Sequence, residues 1–111
     1  MNICMTRHTE ALAYALNELG KEQYKQYIDA IYLYGSCARG TAKYHSDVDL
    51  FLQLKQDTPS SVIRAMKTDV NSGREELPVV ELKTSTFGDF GCNRQFAENI
   101  KTEGTCLWKR D

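Results

Sequence analysis

Two aspartates separated by one residue, Asp47 and Asp49, open an otherwise apolar run that continues through Leu50, Phe51 and Leu52. In an extended chain, residues two apart project from one face with Cα atoms about 7 Å apart, so both carboxylates can reach a single cation. Without a cation, the like charges repel and raise one pKa. Oxygen ligands of this kind suit magnesium, which takes one or two protein carboxylates and completes its shell with water and phosphate oxygens. The plainer reading is a solvated strand face carrying two ordinary acids.

Ahead of these acids stands Tyr34-Gly35-Ser36-Cys37-Ala38-Arg39-Gly40, which leaves a strand through a glycine and enters a short helix. Free backbone N–H groups at such a place point outward together and bind phosphate. Gly35 lets the backbone approach a ligand that a side chain would block, and the Ser36 hydroxyl adds a hydrogen bond to a phosphate oxygen. On its own this segment reads as a tight turn, since Gly and Ser are common there. Arg39 has two open uses, steadying a triphosphate or pairing with an acid to fix the loop. Lys43 is a candidate contact.

A third acid, Glu81, stands among apolar neighbours in Pro78-Val79-Val80-Glu81-Leu82-Lys83, where an unpaired carboxylate is costly to bury. It can help to hold a second ion or take the proton of an acceptor hydroxyl. Pairing with Lys83, or simply facing water, is the alternative.

The elements that must position these residues follow from periodicity. Ala11, Leu12, Ala15, Leu16 and Leu19 repeat at helical spacing over residues 7–19, and Gly20 stops the helix. A polar stretch leads to a buried strand over 28–34, rich in β-branched and aromatic residues, whose tyrosines belong to the core. Residues 47–54 alternate, with Val48, Leu50, Leu52 and Leu54 on one side and Asp47, Asp49, Phe51 and Gln53 on the other. Pro59 starts a helix marked by Val62, Ile63, Met66 and Val70. Strands over 77–84 and 105–109 flank a helix whose most periodic part is 94–103, ended by Gly104. The order predicts an α/β (α+β) fold, a small mixed sheet with helices packed on it.

At 111 residues the chain fits one domain over 1–111, with no room for a separate substrate domain. An acceptor must then be bound by another chain or at an edge, as a homo- or hetero-oligomer. Lys plus Arg number 14 against 15 Asp plus Glu, which leaves no broad positive field for an extended nucleic-acid grip. The first ten residues lack the apolar core of a signal peptide, and no run approaches the roughly 18 apolar residues of a membrane span. The expectation is a cytoplasmic protein. Cys4, Cys37, Cys92 and Cys106 form no CxxC or zinc-type cluster and are expected to be free thiols. His8 is expected on the helix surface, and His45 in a loop.

Gly35-Ser36, ten intervening residues and Asp47-x-Asp49 together resemble the signature of the DNA polymerase β-like nucleotidyltransferase superfamily. Ala38-Arg39-Gly40 and Ser46 bring the chain nearest to its minimal nucleotidyltransferase (MNT) domains, and the likeness covers nearly the whole sequence. The resemblance implies a nucleotidyltransferase fold like the polymerase β palm. It also implies transfer of a nucleoside monophosphate, AMP from ATP, to a hydroxyl with release of pyrophosphate. Mg2+ would be held in a two-ion site by the catalytic carboxylates Asp47, Asp49 and Glu81, with Gly35, Ser36 and Arg39 on the nucleotide. The superfamily's third acid is usually Asp, so Glu81 departs by one methylene. Many minimal members are similar to the antitoxin of a two-gene module and pair with a helical HEPN-type toxin, which implies such a partner here. Two other readings accompany it: a non-catalytic partner-binding module, and a small-molecule adenylyltransferase completed by a separate helical subunit.

Overall fold

The computed structural model describes residues 3–73, 76–86 and 104–110, with side chains from Arg7 onward. Its elements in chain order are α1 (Ile3–Leu19), α2 (Glu22–Lys25), β1 (Ile28–Tyr34), α3 (Gly35–Arg39), β2 (Val48–Leu54), α4 (Ser60–Asp69), β3 (Val80–Ser85) and β4 (Thr105–Lys109). The strands form a four-stranded sheet in the order β3-β2-β1-β4. β1 pairs antiparallel with β2 and with β4, whereas β2 and β3 run parallel, so the sheet is mixed as expected.

Alternation along β2 decides which face is which. Val48, Leu50, Leu52 and Leu54 are buried in one core with Ile28 and Ile31 of β1, Ala11, Ala15 and Leu19 of α1, Met66 of α4, and Val70 just after α4. Both longer helices therefore cover the same side of the sheet, and Asp49 points from the other. That other side is not simply solvated: Phe51, placed there by the alternation, is only 3% exposed.

Several boundaries differ from the sequence expectation. α1 starts at Ile3 rather than at residue 7. The polar stretch before β1 contains the short helix α2, which buries Tyr24 with its hydroxyl donating to the Asp69 carboxylate of α4. The strand expected from residue 77 begins at Val80, because Asn71 takes over the pairing at that point. The Asn71 amide donates to the Val80 carbonyl at 2.9 Å, and its oxygen accepts from the Val80 N–H at 2.8 Å. The helix expected over 94–103 lies outside the described residues. No helix among the described residues is long and apolar enough to cross a membrane.

His8 corrects the sequence expectation most clearly: instead of lying on the surface of α1 it is 2% exposed. It extends the stripe of Ala11, Ala15 and Leu19 one turn toward the N-terminus, at helical spacing. Its polar type hid it from a pattern scored on apolar residues.

Replacing Asn71 by Ala removes both bonds to Val80 and leaves two part-buried backbone groups without that partner. The expected loss is about 1 to 3 kcal/mol, read as a lower urea midpoint at unchanged slope. A variant with the wild-type midpoint would show that Asn71 does not hold the start of β3.

Candidate functional site

β1 ends in extended Tyr34 (φ −140°, ψ −174°), and the chain turns at once through Gly35, whose φ is +74°, into the five-residue helix α3. This left-handed backbone is costly for any residue with a Cβ. Space forbids one as well: a Cβ on Gly35 would run into the Asp49 carboxylate, against Oδ2 and 3.1 Å from Cγ. The close approach that the structure shows at Gly35 is to Asp49, a side chain of the same chain. The turn that carries Ser36 lies directly against the second aspartate.

Register supplies the third acid. Tyr34 stands opposite Asp49 across the antiparallel pair, and Asp49 stands beside Glu81 across the parallel one. Side chains in register on neighbouring strands share a face about 4.8 Å apart, so Tyr34, Asp49 and Glu81 form one row. Asp47 immediately precedes β2 and is exposed; its carbonyl lies 3.6 Å from the Cys37 thiol of α3. Glu81 is itself exposed and not enclosed among apolar side chains as its sequence neighbours suggested. Val80 and Leu82 on either side of it point into the core, leaving Glu81 on the acidic face at no burial cost.

The charges bear on Asp49 and its neighbours Tyr34 and Cys37. Burial first, and then the charges of Glu81 and Asp47, push the Asp49 carboxyl above its ordinary value of 3.8, while Lys83 and Arg39 pull it down. Burial, followed by the charges of Asp49 and Glu81, likewise drives the Tyr34 phenol far up. Burial, followed by the charges of Asp49 and Asp47, pushes the Cys37 thiol up from its ordinary value. Cys37 and Cys106 are free thiols, as expected.

Gly35, Ser36, Asp47, Asp49 and Glu81 thus belong to one end of the sheet. Arg39, exposed in the last turn of α3, acts on Asp49 through its charge. Among the described residues no three His, Cys, Asp or Glu side chains stand close enough to hold a metal ion as they are oriented. The donor set nevertheless fits a hard divalent cation, being carboxylates of one face whose repulsion raises Asp49 and which a cation would relieve. An apolar cleft of about 260 Å³ lies on the opposite, helix-covered side, where the described residues lining it include Leu16, Leu19, Ile31, Trp108 and, as the one charged side chain among them, Lys25. Among the described residues it offers no acid and no hydroxyl for phosphate or metal chemistry. Trp108 therefore does not reach the acids, and the exposed Tyr44 ring is taken up by the Arg7 guanidinium 4.2 Å above it.

The sequence reading missed Arg7 and His8, which bind the loop ahead of Asp47. The His8 ring nitrogen Nε2 is 2.7 Å from the Ser46 carbonyl, and Arg7 donates to the carbonyls of Tyr44 (3.3 Å) and Glu76 (2.7 Å). Nothing in spacing alone marks such contacts, which cross 37 to 69 residues of sequence.

The family model described as polymerase β nucleotidyltransferase matches residues 17–111. Among solved structures, a toxin–antitoxin complex with AMP-PNP is similar at a TM-score of 0.62 and 18% identity, over 92% of this chain and 73% of that one. The toxin–antitoxin MntA–HpeT, in a mutant form, gives a TM-score of 0.61 at 15% identity, over 94% and 74%. A candidate nucleotidyltransferase of Sulfolobus solfataricus gives 0.57 at 17%, over 96% and 85%. No curated protein matches the chain.

Two outcomes test this geometry. Gly35→Ala meets both the left-handed φ and Asp49 and should cost about 2 to 4 kcal/mol, whereas Gly40→Ala, whose Cβ meets nothing within 4 Å, should cost about 1 to 2. Equal losses in thermal unfolding would refute the close approach. The second outcome concerns pH. A carboxyl raised on folding binds its proton more tightly in the native state, so stability is lost as pH climbs from 3.8 through the raised native value. Asp49→Asn should therefore melt higher than the parent at pH 7 in metal-free buffer, with the gain gone below about pH 3.8. A variant that melts lower at neutral pH contradicts the repulsion described above.

Proposed function

Because the chain belongs to the polymerase β nucleotidyltransferase family, as a minimal nucleotidyltransferase domain, we propose that it moves AMP from ATP to a hydroxyl of a partner protein and thereby acts as an antitoxin. The observation that carries this reading is the Gly35 turn lying against Asp49 while Asp49 stands in register with Glu81. A phosphate held at the turn would sit beside the acids that hold its counterion.

In this reading the N–H groups following Gly35 and the Ser36 hydroxyl bind the triphosphate, and Arg39 adds positive charge at its edge. Asp47 and Asp49 would hold Mg2+, with Glu81 contributing to a second ion. Bound magnesium neutralises phosphate charge and favours departure of pyrophosphate. Glu81, exposed on the acidic face, is also placed to accept the proton of an incoming hydroxyl. Such chemistry depends mainly on alignment and charge, which a single domain over 1–111 can supply. The acceptor is then a tyrosine on a helical HEPN-type partner in the cytoplasm. Toxin–antitoxin assemblies of similar fold, one of them with AMP-PNP, support that choice of partner and nucleotide.

A second reading is a non-catalytic module that neutralises its partner by contact. Glu81 in place of the usual Asp supports it. Incubation with ATP labelled in the α-phosphate, Mg2+ and the product of the adjacent gene separates the two. Transfer predicts a labelled partner, with label reduced about a hundredfold or more in Asp47→Asn and in Asp49→Asn. An inhibited but unlabelled partner would sink the transfer reading in favour of the module, and label recovered only in a small molecule would replace the protein acceptor.

A further inference from the structure

Asp49 is paired on both sides within the sheet, whereas the other two acids lie at or just ahead of a strand start. Asp47 precedes β2 and follows a loop, and Glu81 is the second residue of β3, itself preceded by a loop. Both loops are gripped by two adjacent residues of α1. The buried His8 ring meets the Ser46 carbonyl at 2.7 Å, one residue before Asp47. Arg7 forks, with one guanidinium nitrogen donating to Tyr44 O at 3.3 Å and the other to Glu76 O at 2.7 Å, while its Cζ lies 4.2 Å from the centroid of the Tyr44 ring. The gripped loop is closed on itself as well. Ser46 N–H donates to the Lys43 carbonyl at 2.9 Å, and Lys43 N–H donates to the Ser46 hydroxyl at 2.8 Å. Val48 N–H then bonds Val79 O at 2.9 Å, which locks the two strand starts together just inside the grip.

We propose that Arg7 and His8 form a clasp that positions the metal-binding acids, holding the loops ahead of β2 and β3 so that Asp47 is presented beside Asp49 and Glu81. The proposal rests on the nucleotidyltransferase reading for what the acids bind. Neither residue touches nucleotide or metal; both are positioning residues. The choice of residue types follows from the targets. A buried imidazole reaches a loop carbonyl with a stiff ring that loses little rotamer freedom. A planar guanidinium can donate to two carbonyls from separate segments and still stack on an aromatic ring, which the single ammonium of lysine cannot do. Backbone carbonyls are the partners throughout, so the clasp acts on where the main chain runs and leaves the carboxylates free for a cation.

Mn2+ binding followed by electron paramagnetic resonance tests the clasp without any acceptor or turnover. Outer groups that orient metal ligands typically govern affinity by tenfold to a hundredfold, so His8→Ala and Arg7→Ala should each raise the Mn2+ Kd by about ten times or more. His8→Gln, whose amide nitrogen can donate to the Ser46 carbonyl, should restore most of the affinity, whereas Arg7→Lys should not. Leu16→Ala, a cavity in the same helix away from the loop, controls for lost stability and should leave the Kd unchanged. Hydrogen exchange should quicken over residues 43–48 in His8→Ala relative to the Leu16 variant. Wild-type Mn2+ affinity in folded His8→Ala and Arg7→Ala overturns the clasp while leaving the nucleotidyltransferase reading intact. So does a weakening equalled by Leu16→Ala. A wild-type protein that binds no Mn2+ overturns the parent reading and the clasp with it.

Discussion

The contact between the Gly35 turn and Asp49 is the constraint from which the rest of this molecule can be understood. A chain leaving β1 must reverse onto the side of its own neighbour strand that carries an acid, with no room for a methyl group between them. A positive φ aims the following N–H groups, and the missing Cβ admits the carboxylate. Both requirements fall on one residue, and the topology is arranged around it. In an antiparallel pair the end of β1 meets the start of β2, and in a parallel pair the start of β3 meets the start of β2. A mixed sheet in the order β3-β2-β1 therefore brings one strand end and two strand starts to a single edge. An all-antiparallel arrangement of the same strands would carry Glu81 to a different row.

Gathering acids at that edge opposes stability. Asp49 is partly buried, and both Glu81 and Asp47 repel its charge, with Lys83 and Arg39 offsetting only part of the effect. The protein tolerates this because the opposite face of the same strands is committed to the core: Val48, Leu50, Leu52 and Leu54 alternate with Asp49, Phe51 and Gln53 and anchor β2 between two helices and two strands. Strain on one face is held by packing on the other. The helix-covered face has its own apolar cleft beside Trp108, separated from the acids by the sheet itself.

α1 links these two roles. Its buried stripe of Ala11, Ala15 and Leu19 packs on the sheet, and the same stripe continued by one turn delivers His8 to the loop ahead of Asp47. A helix whose small alanines allow close packing against the strands also brings its polar residues near enough to reach main-chain carbonyls. Packing and site geometry are in this way set by one helix approach.

The sequence by itself determined the periodic elements and the identity of the acids. β1, β4 and the core side of β2 were legible because strand alternation and β-branched content are local, and the Gly35-Ser36 to Asp47-x-Asp49 spacing was legible because a family signature is read along the chain. Tertiary structure alone decided what depends on residues distant in sequence. The register that sets Glu81 beside Asp49 is a property of two strands, and neither strand encodes it separately. Burial of Phe51 on the acidic face contradicted its position in a polar alternation, since alternation names a side and not what covers it. His8 read as a surface residue because histidine is polar, yet its partner is a backbone carbonyl, present at every position of every sequence. The start of β3 moved to Val80 because an asparagine nine residues earlier imitates a strand's pairing there. For Glu81, His8 and the start of β3 the deciding partner is a facing strand or a main-chain group, and such partners acquire their positions only when the chain has folded.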